Sequence, residues 1–249
     1  MKFGIDRLLS EPELLTSLQG RRVALLAHPA SVTADLTHSL DALVAAGVRV
    51  TAMFGPQHGV RGDLQDNMME SPDYTDPVYG VPVFSLYGEV RRPRGQWMGT
   101  FDVLLVDLQD VGCRIYTFVT TLLYVLEACA EHGKAVIVLD RPNPAGRPVE
   151  GTTLRGGWES FVGAGPMPMR HGLTLGELGR WFVRHFGLDV DYSVIAMEGW
   201  RPDDAPGWGW PPERVWINPS PNAANVNMAR AYAGTVMLEG TTLSEGRGT

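Results

Sequence analysis

Residues 101–110, FDVLLVDLQD, run from a near-continuous apolar stretch straight into two carboxylates and an amide. The stretch Phe101–Leu108 lacks the alternation of a half-exposed strand and reads as a strand covered on both faces, as in a parallel sheet. Asp107 then falls within or at the end of a buried strand, and a buried carboxylate needs partners or a task. A similar run recurs at Ala135–Leu139 (AVIVL), and Arg21–Ala27 (RRVALLA), Val48–Phe54 (VRVTAMF) and Tyr192–Met197 read as further strands. Helical spacing separates them. It appears over Ala34–Ala46 through Leu36, Leu40, Leu43 and Val44, over Thr117–Glu131, and from Thr174 to about His185, where Thr174 and Glu177 form a capping pair and Gly187 closes the helix. This alternation predicts an α/β fold over residues 1–198, a Rossmann-like and mostly parallel sheet with helices on both faces. From residue 199 the chain turns rich in Trp, Pro and Asn, which suggests an aromatic, irregular surface rather than a linker, and the length allows 199–249 to be part of a second domain.

Composition bounds the partners. The chain has 249 residues, 44% of them hydrophobic, which suffices for a large core, and a net charge of -7. That balance offers no cationic field for phosphate backbones or anionic lipid, so neither nucleic acid nor membrane is an expected partner, and small solutes fit better. The first residues, MKFGIDRLLSEPELL, show no apolar leader, and no run approaches the roughly 20 apolar residues of a membrane span. The chain therefore reads as cytoplasmic, or as secreted or periplasmic if a leader had been removed. Cys113 and Cys129 lack CxxC spacing, and no zinc pattern, GxGxxG, GxxxxGK[ST], HExxH or GxSxG is present, so no metal and no cofactor is expected.

In open α/β sheets ligands bind beyond the carboxyl ends of the strands, so the loops beginning near Gly55, Gln109 and Arg141 are expected to share one edge. The middle loop carries Gln109, Asp110, Arg114 and Tyr116. Asp110 and Arg114 suit either a structural cap and ion pair or a reaction site, and the buried strand behind them favours the site. Gln57, His58 and Arg61, with Glu70 beyond, form either a turn network or a polar cluster. Asp140, Arg141 and Asn143 stand on a loop stiffened by two prolines. Glu150 follows, His171 precedes a helix where it is a structural neighbour or an anion contact, and Trp200, Trp208, Trp210 and Trp216 are either packing or a sugar-stacking wall.

These residues together carry a resemblance. FGPQHGVRG at 54–62, VPVFSLYG at 81–88, FDVLLVDLQDVGCRIYT at 101–117, VLDRPNPAGRPVEG at 138–151, HGLTLGEL at 171–178, NPSPN at 218–222 and LEGTTLSEGRGT at 238–249 resemble, in order, the bacterial exo-β-N-acetylmuramidase family, long known only as a domain of unknown function. The resemblance implies a Rossmann-like domain followed by a smaller α/β domain, with a cleft between them that releases terminal N-acetylmuramic acid from peptidoglycan fragments. It implies a glycosidase in cell-wall turnover and a saccharide partner. Many members carry Glu where this chain has Gln57, and that Glu is a leading catalytic candidate among them. An amide cannot pass a proton as a carboxyl does, so the reading implies another acid (Glu70, Asp110, Glu150 or Glu245) or a homologue that binds the saccharide with altered catalysis. The remaining polar residues, Gln57, His58, Arg61, Gln109, Arg114, Tyr116, Asp140, Asn143, His171, Asn222 and Arg247, become candidate substrate contacts. Arg61, Arg114 or Arg247 would pair with the lactyl carboxylate of a muramic sugar. The sugar's own N-acetyl group is a further candidate nucleophile, which would reduce the requirement to one acid.

Overall fold

The computed structural model describes residues 1–60, 70–201 and 210–243. Its centre is a 7-stranded sheet in the order β3-β4-β2-β1-β5-β6-β9. The strands are β1 (Val23–Ala27), β2 (Val50–Gly55), β3 (Tyr74–Thr75), β4 (Pro82–Ser85), β5 (Val103–Asp107), β6 (Ala135–Leu139) and β9 (Tyr192–Ile195), and β7 (Glu150–Thr153) with β8 (Pro168–Arg170) forms a separate hairpin. Only β3 runs antiparallel to its neighbour β4. Counted in chain order, the parallel strands read 3-2-1-4-5-6, the order of doubly wound nucleotide-binding folds. The helices are α1 (Gly4–Ser10), α2 (Pro12–Thr16), α3 (Ser39–Ala45), α4 (Gly95–Met98), α5 (Thr117–Glu131), α6 (Leu175–Phe186) and α7 (Val226–Thr235). No helix among the described residues is long and apolar enough to cross a membrane.

The period-2 geometry of the central strands divides the core. Ala24, Leu26, Leu104, Val106, Val136 and Val138 face α5 and α6, whereas Val23, Leu25, Val103, Leu105 and Leu139 face α1 and α3. Fully buried Phe54, Phe101 and Phe118 anchor the first layer, each worth about 1.5–3 kcal/mol of transfer from water. Segment 210–240 adds to both layers. Trp210 packs on Phe3 at 5.7 Å and on Trp216 at 4.9 Å, so these two indoles are packing residues.

One expected element starts later than its spacing suggests. The apolar positions predict a helix from Ala34, yet α3 begins at Ser39. Residues 31–38 instead close a turn: Ser39 donates its amide to the Ser31 carbonyl at 2.8 Å, Thr33 pairs with Thr37, and Leu36 sits exposed at φ 67°. The cause is tertiary. Asp107, at the end of β5, draws Ser39 Oγ to its Oδ2 and Ser31 Oγ to its carbonyl. Arg141, from the end of β6, donates Nε to Asp107 Oδ1 at 2.5 Å and a terminal nitrogen to Oδ2 at 2.9 Å, and also reaches the Val32 carbonyl at 2.8 Å. Both members of this fork are buried. The loops that follow β1, β5 and β6 are thus fastened to one carboxylate.

Helix α6 follows its capping signal closely. Thr174 Oγ1 accepts the Glu177 amide, Glu177 returns to the Thr174 amide, and Gly187 ends the helix in the left-handed region. A Cβ on Gly176 would fall 2.7 Å from Val194 Cγ1 and 2.9 Å from Asp140 Cγ, so only glycine lets this helix lie so near the sheet. Asp140 uses that proximity. It accepts the Gly176 amide at 2.9 Å and the Thr174 hydroxyl at 2.8 Å, while burial raises its carboxyl to about 6.

Replacing Arg141 with Met leaves the Asp107 charge buried without its partner, and removing one member of a buried pair costs about 3–5 kcal/mol. The expected loss is read from the urea midpoint of unfolding. A change under about 1 kcal/mol would show that the fork does not hold these loops.

Candidate active site

The chain fills β1, β2 and β4 on one side and then returns to place β5 against the other side of β1, so the switch point lies between β1 and β5. The carboxyl ends of β1, β2, β5 and β6 open on the same edge, as expected of the loops after Gly55, Gln109 and Arg141. They deliver His28, Gln57 with His58, Asp110, and Asp140–Asn143.

Asp110 is buried, and its two oxygens differ. Oδ2 accepts the Gly112 amide at 2.7 Å and lies 3.3 Å from His171 Nε2, whereas Oδ1 has no hydrogen-bond partner among the described residues. The Leu173 amide donates to His171 Nδ1 at 3.2 Å, so a neutral His171 carries its proton on Nε2, facing the carboxylate. This leaves Asp110 oriented by its neighbours with one oxygen uncommitted. Gly112 stands at φ 80°, and a Cβ there would lie 2.2 Å from Asn143 Oδ1, so the turn that positions Asp110 requires glycine. Asp110 does not pair with Arg114. That guanidinium donates to the carbonyls of Thr152 (2.8 Å) and Met167 (2.7 Å), and tethers the β7–β8 hairpin.

A second group adjoins it through aromatic contacts. Tyr116 packs on Phe118 at 4.8 Å and Phe118 on His28 at 5.2 Å, and the His28 and His58 rings stand 6.2 Å apart at 74°. His28 Nδ1 accepts the Ala30 amide at 3.2 Å, while His28 Nε2 and His58 Nδ1 have no partner among the described residues. Burial, then the charges of His58 and His38, hold His28 well below its usual range, and burial lowers His58 to about 4. His58 adopts φ 73°, a left-handed conformation unusual for a side chain of its size. Gln57 accepts the Thr117 hydroxyl on Oε1 at 2.9 Å, so its amide is fixed at the start of α5.

The other candidates divide by location. Gln109 Nε2 donates to the carbonyls of Asp110 (2.9 Å) and Pro142 (3.0 Å), and its Oε1 is buried without a partner among the described residues. The Tyr116 hydroxyl donates to the Pro219 carbonyl at 2.7 Å, and burial beside the Asp110 charge pushes the phenol well above its usual range. Half-buried Asn222 follows on that same segment. Asn143 bridges the Leu173 carbonyl and the Ala145 amide, and Asp140 is taken up by the start of α6. Glu150 is exposed and paired with Arg170 at 2.8 Å. Exposed Glu70 meets Arg91 at 3.5 Å in a separate cavity of about 360 Å³ beside Asp73 and Trp97. The structure therefore brings neither Glu150 nor Glu70 into the buried group. Arg61, Glu245 and Arg247 lie outside the described residues. His28 was missed as a candidate because it reads as the end of an apolar run. Its position directly after β1, the first strand at the switch point, was the available signal.

The chain is similar to known proteins over nearly its whole length. The family described as "Exo-beta-N-acetylmuramidase NamZ, N-terminal" matches residues 23–227. The peptidoglycan beta-N-acetylmuramidase NamZ of Bacillus subtilis (strain 168) is 43% identical over 252 aligned positions, which cover 99% of this chain and 58% of that protein. Two crystal structures of DUF1343 family proteins from Bacteroides fragilis NCTC 9343 also match. One has TM-score 0.83 and 34% identity, covering 95% of this chain and 60% of that one. The other has TM-score 0.85 and 32% identity, covering 100% and 64%. The chain thus spans about three fifths of the length of these relatives.

A free histidine titrates near 6.5 and His58 near 4 in the fold, so protons bind the unfolded chain more tightly. The stability this contributes is complete above pH 6.5 and is lost as pH falls toward 4. Thermal melts across that window are expected to lose part of their acid slope in a His58→Gln variant. An unchanged slope would place the titration elsewhere.

Proposed function

Because the chain belongs to the exo-β-N-acetylmuramidase NamZ family through its N-terminal domain, we propose that it is a glycoside hydrolase releasing terminal N-acetylmuramic acid from peptidoglycan fragments. The observation that carries this reading is Asp110, a buried carboxylate at the switch point with one oxygen held and one uncommitted. Cleavage of a glycosidic bond needs a proton for the departing oxygen and, because positive charge builds at the sugar's anomeric carbon, a base for water or a group to oppose that charge, and it is this second role that a carboxylate fills. Asp110 Oδ1 serves there. The Gly112 amide fixes the other oxygen, and His171 Nε2 stands 3.3 Å from that same oxygen without bonding it. Gln57 orients the sugar by its amide and transfers no proton. The neutral histidines, each with a ring nitrogen that has no partner among the described residues, suit an uncharged sugar with its hydroxyls. Segment 210–240 borders this group through the Pro219 carbonyl, which accepts from the Tyr116 hydroxyl.

Gln57 motivates a second reading, a homologue that keeps the cleft and binds saccharide without turnover. The two part in one assay, release of chromophore from a muramic acid β-glycoside by the full-length protein. Turnover that falls about 10²–10⁴-fold in Asp110→Asn, with KM within a few-fold, supports the hydrolase. Glu150→Gln is expected to stay within threefold of wild type, since that side chain is exposed and paired with Arg170. Saccharide binding with no turnover at pH 5–8, unaltered by Asp110→Asn, would favour the binding protein.

A further inference from the structure

An enzyme that takes sugars only from the end of a chain must distinguish a free terminal hydroxyl from the ether oxygen that replaces it inside the chain. The two oxygens accept hydrogen bonds alike, and only the hydroxyl donates one. Among the buried polar atoms without a partner in the described residues, which include Gln109 Oε1, Asp110 Oδ1 and His171 Nε2, two lie on facing rings, His28 Nε2 and His58 Nδ1, and their arrangement suits that distinction. We propose that His28 and His58 read the chain end: the hydroxyl through which the next sugar would be attached accepts from His28 Nε2–H and donates to His58 Nδ1. This inference rests on the glycosidase reading above and adds to it the residues that make the action exo.

The geometry supports each half of the contact. The Ala30 amide donates to His28 Nδ1, so the single ring proton of a neutral His28 sits on Nε2, a donor without a partner among the described residues. His58 Nδ1 is likewise buried and without a partner among them, and in the Nε2–H tautomer it offers a lone pair. With centroids 6.2 Å apart the rings do not bond each other directly. One oxygen at the usual hydrogen-bond length of about 2.8 Å from each nitrogen bridges up to about 5.6 Å, which fits between rings at that spacing. His28 is 2% and His58 9% exposed, so an oxygen held between the rings is shielded from water. An ether oxygen would satisfy His28 and strand His58, and sites built on paired polar groups reject the ligand that lacks one by up to about 10⁵-fold. His58 stands in the turn after β2 in a left-handed backbone conformation, which histidine adopts more readily than most side chains.

The test is a cycle between substrate and protein. Full-length wild type, His28→Ala and His58→Ala are compared on a chromogenic N-acetylmuramic acid β-glycoside and on its 4-deoxy analogue, which removes the hydroxyl without adding bulk. In wild type kcat/KM is expected to fall at least 100-fold on the deoxy substrate. In either variant the two substrates are expected to come within about tenfold of each other. Equal rates on both substrates by wild type, which requires no variant, would overturn the inference, as would an undiminished preference in both variants. A wild type that leaves the parent glycoside intact sinks the glycosidase reading itself, and this inference with it.

Discussion

The edge of this molecule is organised around the carboxylate of Asp107. It lies at the end of β5 out of reach of water, and the chain satisfies it from two directions, the guanidinium fork of Arg141 after β6 and the hydroxyl of Ser39 at the start of α3, while the backbone carbonyl of the same residue anchors Ser31 after β1. A buried ion pair of this kind is poor evidence of extra stability, because desolvation offsets most of the attraction. Its value here is geometric. Three loops that would otherwise move separately share one origin, and Asp110 stands three residues past it. The loops that carry Asp110 and His28 are thereby held in place by an ion pair that lies behind them.

The strands at the centre of the sheet and the helices α5 and α6 were legible because their signals are local. FDVLLVDL and AVIVL have no polar face to misread, and the Thr174–Glu177 pair closes on itself. What escaped is decided at a distance. The start of α3 depends on hydroxyls drawn to Asp107, 68 residues from Ser39. The short β4 and the β7–β8 hairpin owe their existence to partners, through Gly55 opposite Ser85 and through Arg114 reaching into the hairpin.

The site was legible in the same uneven way. Asp110 follows a buried strand, and that context pointed to it. Asp140 and Asn143 share that context yet serve the frame, since a strand-end carboxylate caps a helix as readily as it meets a ligand. Glu150 and Glu70 drew attention as acids, and charge alone does not tell a residue that faces solvent from one that faces a sugar. His28 carried no pattern at all. A lone histidine after an apolar run becomes informative only when the ring beyond it, thirty residues on, is seen to face it.

The contact between Gly112 and Asn143 has a consequence for how such a site diversifies. The loop after β5 fits into the loop after β6 with no room for even a methyl group between them, and one of those loops carries Asp110 while the other is tied through Asn143 to the segment leading into α6. Neither can be lengthened, shortened or resculpted alone without displacing the other. A change in what the protein accepts that leaves Asp110 in place must therefore arise outside this pair. The interlocked loops act as a fixed jaw, one rigid side of whatever this edge receives.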